Sequence, residues 1–139
     1  MLVSVIIINY NTFDITCNCI RSVIEHTKGV AYEIILVDNA STKGNPDDFL
    51  EQFPSIVLVK SKDNGGFAKG NNLGIEHAKG DIILLLNSDT LLIEDSISIA
   101  ANYIEQNPSL ILTTKLLYEN RKYQNNARKF RSIKNEVLD

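Results

Sequence analysis

The apolar run Leu84-Leu85-Leu86 breaks off at Asn87-Ser88-Asp89-Thr90. A segment this apolar, stopping at an acid among small polar residues, sets one carboxylate at the lip of a buried strand. One carboxylate is too little for an all-protein metal cage. It suffices for Mg2+ or Mn2+ when a bound diphosphate supplies the other oxygens. A second acid, Asp38, closes another apolar run and is followed by Asn39, Ala40, Ser41 and Thr42. Its carboxylate can accept hydrogen bonds from a base N–H or a ribose hydroxyl. Tyr10, within Asn9-Tyr10-Asn11-Thr12, offers an aromatic face on which a base can stack. The stretch SKDNGGFAKGNN, residues 61–72, completes the polar set. Together these groups describe a site for a nucleoside diphosphate with a divalent metal.

Such groups meet only if the chain between them alternates strand and helix. Apolar, β-branched runs predict strands over 2–8, 32–37, 55–60, 81–86 and 110–114. Helical periodicity fills the gaps. A helix over 13–27 is capped by Thr12 and closed by Lys28-Gly29, and Asn45-Pro46 opens a short one over 47–53. Helices over 67–78 and 94–107 stop at Lys79-Gly80 and Asn107-Pro108. Strict alternation means right-handed crossovers and a mostly parallel α/β sheet flanked by helices. All strands of such a sheet end on one edge, where ligands bind. The first four strand ends all carry polar or glycine-rich chemistry, whereas the opposite edge holds the plain connectors HTKG and HAKG. Each feature also has a plainer use. Asp38 could form an Asx-type turn, Asp89-Thr90 could cap the next helix, Gly65, Gly66 and Gly70 could serve turns, and Tyr10 could be a half-buried strand end.

The composition is that of a globular domain: 139 residues, 44 % hydrophobic and 22 % charged. No apolar run approaches the ~20 residues of a membrane helix. The N-terminal MLVSVIIINYN, without a basic start or cleavage site, reads as a strand rather than a signal peptide. Cys17 and Cys19 fit neither a disulfide framework nor a zinc pattern, and their spacing in a helix points them to different faces. A cytoplasmic protein is expected. Residues 1–114 carry 7 basic and 14 acidic side chains, which argues against a nucleic-acid binder, whereas residues 115–139 carry 7 basic and 3 acidic. That tail, RKYQNNARKFRSIK, is either a solvated segment or a peripheral contact for phosphates or the inner face of an anionic membrane. Dinucleotide and P-loop fingerprints are missing, and the acids of a phosphoacceptor receiver domain are not in place. His26 and His77 fall in helices near the far edge, which disfavours a Ser/His/Asp hydrolase.

Taken together, VSVIIINYN, EIILVDNAST, NGGFAKGNNLGIEHAKGDIILLLNSDT and LLYENRKYQNNARKFRSIKNE resemble family 2 glycosyltransferases of the GT-A fold, in particular a rhamnosyltransferase-like branch that builds bacterial surface polysaccharides. The likeness covers nearly the whole chain, and the combination of motifs carries it. It implies transfer of a sugar from a nucleotide-diphosphate donor to the hydroxyl of a sugar or lipid-linked acceptor, with inversion. It also implies that Asn9, Tyr10 and Asn11 hold the base, and that Asp38, with Asn39 and Ser41 beside it, contacts uracil or its equivalent. Gly65, Gly66, Phe67, Gly70 and Asn71 would line the nucleotide and sugar. The D-x-D motif falls on Asn87-Ser88-Asp89: Asp89 keeps the metal, and Asn87 replaces the first acid. No acidic motif after 114 suits the family's catalytic base, since Glu119, Glu136 and Asp139 lie in an irregular tail. Residues 1–114 thus read as a nucleotide-sugar-binding domain and 115–139 as the start of an acceptor half, in a chain cut short. The other reading is a non-catalytic nucleotide-sugar-binding or partner-docking module.

Overall fold

Eight residues, LVSVIIIN, form the first strand, β1 (Leu2–Asn9), and those at 3–7 are all buried. A strand so rich in β-branched residues, and buried on both faces, belongs at the centre of a parallel sheet. The computed structural model describes residues 1–124. After β1 come α1 (Phe13–His26), β2 (Ala31–Asp38), α2 (Asp48–Gln52), β3 (Val57–Lys60), α3 (Gly66–Ile75), β4 (Ile82–Asn87) and α4 (Ser96–Gln106). The short strands β5 (Leu116–Leu117) and β6 (Tyr123–Gln124) follow. Two compact units result, Met1–Pro108 and Ser109–Asp139.

The first unit holds a four-stranded sheet of order β3-β2-β1-β4, parallel throughout. Alternation along β1 feeds two cores. Val3, Val5 and Ile7 join Ile34 and Leu36 of β2, Cys17, Ile20 and Val23 of α1, Phe49 of α2, and Ile97 and Ala101 of α4. Ile6 joins Ile35, Val37 and Val59 on the opposite face, against Leu73 of α3. Each fully buried Val or Ile contributes about 1.5–3 kcal/mol, so burial on both faces fixes the layers. α3 sits close on β1 because two glycines face it. A Cβ at Gly74 would lie 2.5 Å from Ile6 Cγ2, and one at Gly70 would lie 3.2 Å from Ile8.

Three expectations need correction. Residues 110–114 form no strand and are exposed. A strand exists only as part of a paired ladder, and among the described residues β4 pairs with β1 alone. The hydrophobicity of LIL therefore mistook an unpaired run for a fifth strand. Thr12 stands at the N-cap of α1 but makes no side-chain cap bond. Its hydroxyl goes instead to Asn9 Oδ1, 3.1 Å away. Cys17 and Cys19 are free and both buried, because the buried side of α1 is wide enough to take Thr16, Cys17, Cys19, Ile20, Ser22 and Val23.

In the second unit β5 and β6 pair antiparallel, and Lys115 Nζ stacks over the Tyr123 ring at 4.6 Å. Glu119 is exposed at the hairpin turn. Glu136, Asp139 and most of the basic tail lie outside the described residues.

Candidate functional site

The chain places β2 and then β3 on one side of β1 and returns to set β4 on the other. Strand order therefore reverses between β1 and β4, which is where open parallel sheets take their ligands. In register, Asn9 faces Asp38 across β1–β2, and Ile8 faces Asn87 across β1–β4. Adjacent strands lie ~4.8 Å apart, so the ends of β2 and β4 stand ~10 Å apart on either side of β1.

Asn9 and Asp38 continue the inner face of Val5, Ile7, Ile34 and Leu36, toward α1. Every hydrogen-bonding position of the Asn9 amide is taken. Its Nδ2 donates to Asp38 Oδ1 at 2.7 Å and to Ser41 Oγ at 3.1 Å. Its Oδ1 accepts from the Thr12 N–H at 3.3 Å, the Thr12 hydroxyl at 3.1 Å and the Thr16 hydroxyl at 3.0 Å. Asp38 is 2 % exposed. Its Oδ1 also accepts from the Ser41 hydroxyl at 2.6 Å, and its Oδ2 accepts from the Ser41 N–H at 3.0 Å. The Asx-type turn open to Asp38 is thus present. A carboxylate offers about four acceptor positions, so three bonds leave one lone pair, on Oδ2.

The loops that follow are tied together by Asn11. Its φ is +58°, in the left-handed region that Asn tolerates. Its Oδ1 accepts from the Thr42 N–H at 2.8 Å and the Lys43 N–H at 3.0 Å. Ala40 is also left-handed, at φ +59°. An Ala has no side chain to compensate, and the conformation costs about 1–2 kcal/mol. Such strain collects where a neighbouring structure over-determines a loop.

Asn39 reaches the glycine loop. Its Nδ2 donates to Asn64 Oδ1 at 2.8 Å and to the Gly66 carbonyl at 3.3 Å, and Asn64 Oδ1 also receives the Gly66 N–H. Gly66 has φ +79°, so the turn into α3 needs glycine. Lys69 clamps the same loop through Asp63 at 2.7 Å and holds that carboxyl below its ordinary value by hydrogen bond and charge. Phe67 and Gly65 are exposed there. Gly70 is buried against Ile8, and Asn71 is buried with its Nδ2 on the Phe67 carbonyl. Among the described residues, the buried Oδ1 atoms of Asn39 and Asn71 have no donor.

On the other side of the crevice Asn87 continues the exposed face of Ile83 and Leu85. The turn closed by Thr90 N–H to the Asn87 carbonyl, 3.1 Å, follows it. Ser88 is half-buried and Asp89 exposed. Among the described residues the Asp89 carboxylate makes no hydrogen bond or ion pair. The α4 N-cap is Asp95, so Asp89 does not serve as that cap. The Cys19 thiol, 3.6 Å from the Asn87 carbonyl, is pushed up to about 12 by burial and then by the charge of Asp89. The Asp89 charge is thus felt at Cys19 of α1. Tyr10, 43 % exposed, follows β1. No three His, Cys, Asp or Glu side chains gather among the described residues to cage a metal. A lone, exposed, unpaired carboxylate fits an ion shared with ligand oxygens.

Thr16 was not marked by the sequence as part of this site, whereas Thr12 and Asn64 fell within the polar stretches after the first and third strands without a role of their own. The one available signal was the spacing of Thr12 and Thr16, one helical turn apart beside the polar end of β1.

The sequence model for glycosyl transferase family 2 matches residues 4–138. The glycosyltransferase GlyG of Streptococcus pneumoniae is 31 % identical over 108 residues, 76 % of this chain and 36 % of that protein. A poly(ribitol-phosphate) beta-glucosyltransferase of Bacillus spizizenii is 30 % identical over 121 residues, 84 % of this chain and 19 % of that protein. The chain thus spans 36 % and 19 % of the lengths of these two relatives. The mannosyltransferase PcManGT from Pyrobaculum calidifontis, solved with GDP-Man and Mn2+, superposes with a TM-score of 0.66 at 26 % identity, over 73 % of this chain and 32 % of its own. The fold is GT-A, and this chain belongs to glycosyl transferase family 2.

Proposed function

We propose that this chain binds the nucleoside diphosphate of a sugar donor across the β1/β4 crevice and serves a glycosyltransferase of cell-surface polysaccharide synthesis. One observation carries the reading: a carboxylate with one spare lone pair, Asp38, ends β2, and an exposed carboxylate unpaired among the described residues, Asp89, follows β4, so the two flank the switch point on either side of β1. The spare Oδ2 position of Asp38 takes one N–H of the base. Tyr10 stacks on the base. The Asn9 amide is fully engaged, so the loop it holds, rather than its side chain, meets the ligand. Asn39, Ser41 and Asn11 shape that loop. Gly65, Gly66 and Phe67 border the ribose and sugar, over Gly70 and Asn71. Asn87 and Ser88 lead to Asp89, which would hold Mg2+ or Mn2+ in company with the donor diphosphate. The ion supplies positive charge against the departing diphosphate.

The reaction this serves is a direct displacement. A base takes the acceptor hydroxyl proton, the oxygen attacks the anomeric carbon, and the bond to the diphosphate breaks with inversion. None of the residues assigned above is that base. Similarity to the poly(ribitol-phosphate) beta-glucosyltransferase supports a polymer acceptor of that kind, and PcManGT's bound GDP-Man and Mn2+ support the donor and metal classes. The test is calorimetry of UDP, GDP and dTDP with and without Mn2+, on the native chain and on Asp89→Ala. Metal-dependent binding should vanish in the variant, and its survival would remove Asp89 from the site.

A further inference from the structure

We infer that Thr16, inside α1, is a positioning residue for Asp38, acting through the amide of Asn9. The inference rests on the reading that Asp38 receives the base of the donor. Thr16 is fully buried, so it touches no ligand itself. Its hydroxyl lies 3.0 Å from Asn9 Oδ1, and Asn9 Nδ2 lies 2.7 Å from Asp38 Oδ1.

An amide can fill its cavity either way round, because its oxygen and nitrogen are nearly the same size. Here only one way is open. Turned over, Nδ2 would face the Thr12 N–H, a donor against a donor. Oδ1 would face the Asp38 carboxylate, an acceptor against an acceptor. Hydroxyl protons then follow. Ser41 Oγ accepts from Asn11 N–H at 2.9 Å and from Asn9 Nδ2, so its own hydrogen goes to Asp38 Oδ1. Oδ1 is thereby saturated, and Oδ2 keeps the single free position.

The terminal torsion of an aspartate is broad and two-fold. What selects the oxygen that faces the crevice is therefore this chain of bonds, and Thr16 anchors its inner end. The Thr12 contacts alone come from the loop entering α1, whereas Thr16 is fixed in the helix itself, with its N–H on the Thr12 carbonyl at 2.9 Å. The orientation of Asp38 is thus referred to α1 rather than to its own loop.

The experiment uses whichever of UDP, GDP and dTDP binds most tightly with Mn2+, and pyrophosphate with Mn2+ as the base-free probe. Thr16→Val keeps shape and removes the donor. Losing one net hydrogen bond should weaken the nucleotide about three- to tenfold, leave pyrophosphate binding unchanged, and speed exchange of the Asn9 side-chain amide protons by NMR. Thr16→Ser should restore nucleotide affinity. Equal loss for both probes, or no loss for the nucleotide, overturns the inference. Should Thr16→Val not fold, Thr16→Ala is read in the same way. Asp38→Asn tests the underlying reading separately. If it leaves nucleotide binding intact, the base contact is wrong; if it abolishes binding while Thr16→Val does nothing, only the inference falls.

Discussion

Single residues here do more to hold one another than to face outward. Ser41 is the hub: its hydroxyl donates to Asp38 and accepts from Asn11 N–H and Asn9 Nδ2. Ser41→Ala removes all three bonds and leaves a part-buried N–H and a buried carboxylate oxygen short of a partner. An unsatisfied buried group costs about 1–3 kcal/mol. Ser41 is half-buried, so water recovers part of that, and a loss of about 1–2 kcal/mol in chemical unfolding is expected. A loss near zero would mean that water replaces the hydroxyl without cost. At this scale the sequence was informative about chemistry and silent about partners. The residue types at the strand ends are legible because each follows an apolar run. That the Asn9 amide is fully used was not, because its partners come from α1 and from a loop some thirty residues on in the chain, which only the strand register brings together.

Elements are set by what each presents to its neighbour. α3 approaches β1 along Gly70 and Gly74, and the two positions differ. An added methyl at Gly74 meets Ile6 Cγ2 at 2.5 Å, whereas at Gly70 the nearest atoms of Ile8 are at 3.2 Å. Replacing a helical Gly by Ala gains up to about 1 kcal/mol of helix propensity. Overpacking a core costs about 1–3 kcal/mol. At Gly74, where Ile6 is fully buried and cannot yield, overpacking wins and Gly74→Ala should lower the melting temperature. At Gly70 the half-buried Ile8 can give a few tenths of an ångström, so Gly70→Ala should be near neutral. Equal effects in thermal melts would show that α3 slides as a body. The strands of the sheet were legible because continuous β-branched runs have one use in a parallel sheet. Residues 110–114 misled because apolar composition reports a wish for burial and says nothing of a pairing partner. Helix ends were blurred for a related reason: Thr12 has the right type for a side-chain cap, yet an amide oxygen across the loop competes for its hydroxyl.

For the molecule as a whole, the sheet is unevenly covered. β3, at one end of the order β3-β2-β1-β4, is a short strand, Val57–Lys60, and it ends in a charged residue paired with Asp47. Short and charged edges resist pairing with other chains. β4, at the other end, is longer and alternates half-buried with exposed residues, leaving Ile83 39 % and Leu85 48 % exposed. Among the described residues, nothing pairs with its outer edge. Unpaired N–H and C=O groups beside exposed branched side chains are a template for strand addition. The chain spans only 36 % and 19 % of the GlyG and glucosyltransferase relatives, so its surface need not be the one those proteins expose. As it stands, the chain should associate with rising concentration in sedimentation velocity. Leu85→Lys places a charge on the exposed face of the edge strand while the inner-face residues Leu84 and Leu86 keep their core contacts. The variant should sediment as a monomer with an unchanged circular dichroism spectrum. Association that persists in Leu85→Lys would move the contact elsewhere, and a native chain that stays monomeric would show that twist and solvation alone are enough to protect the edge.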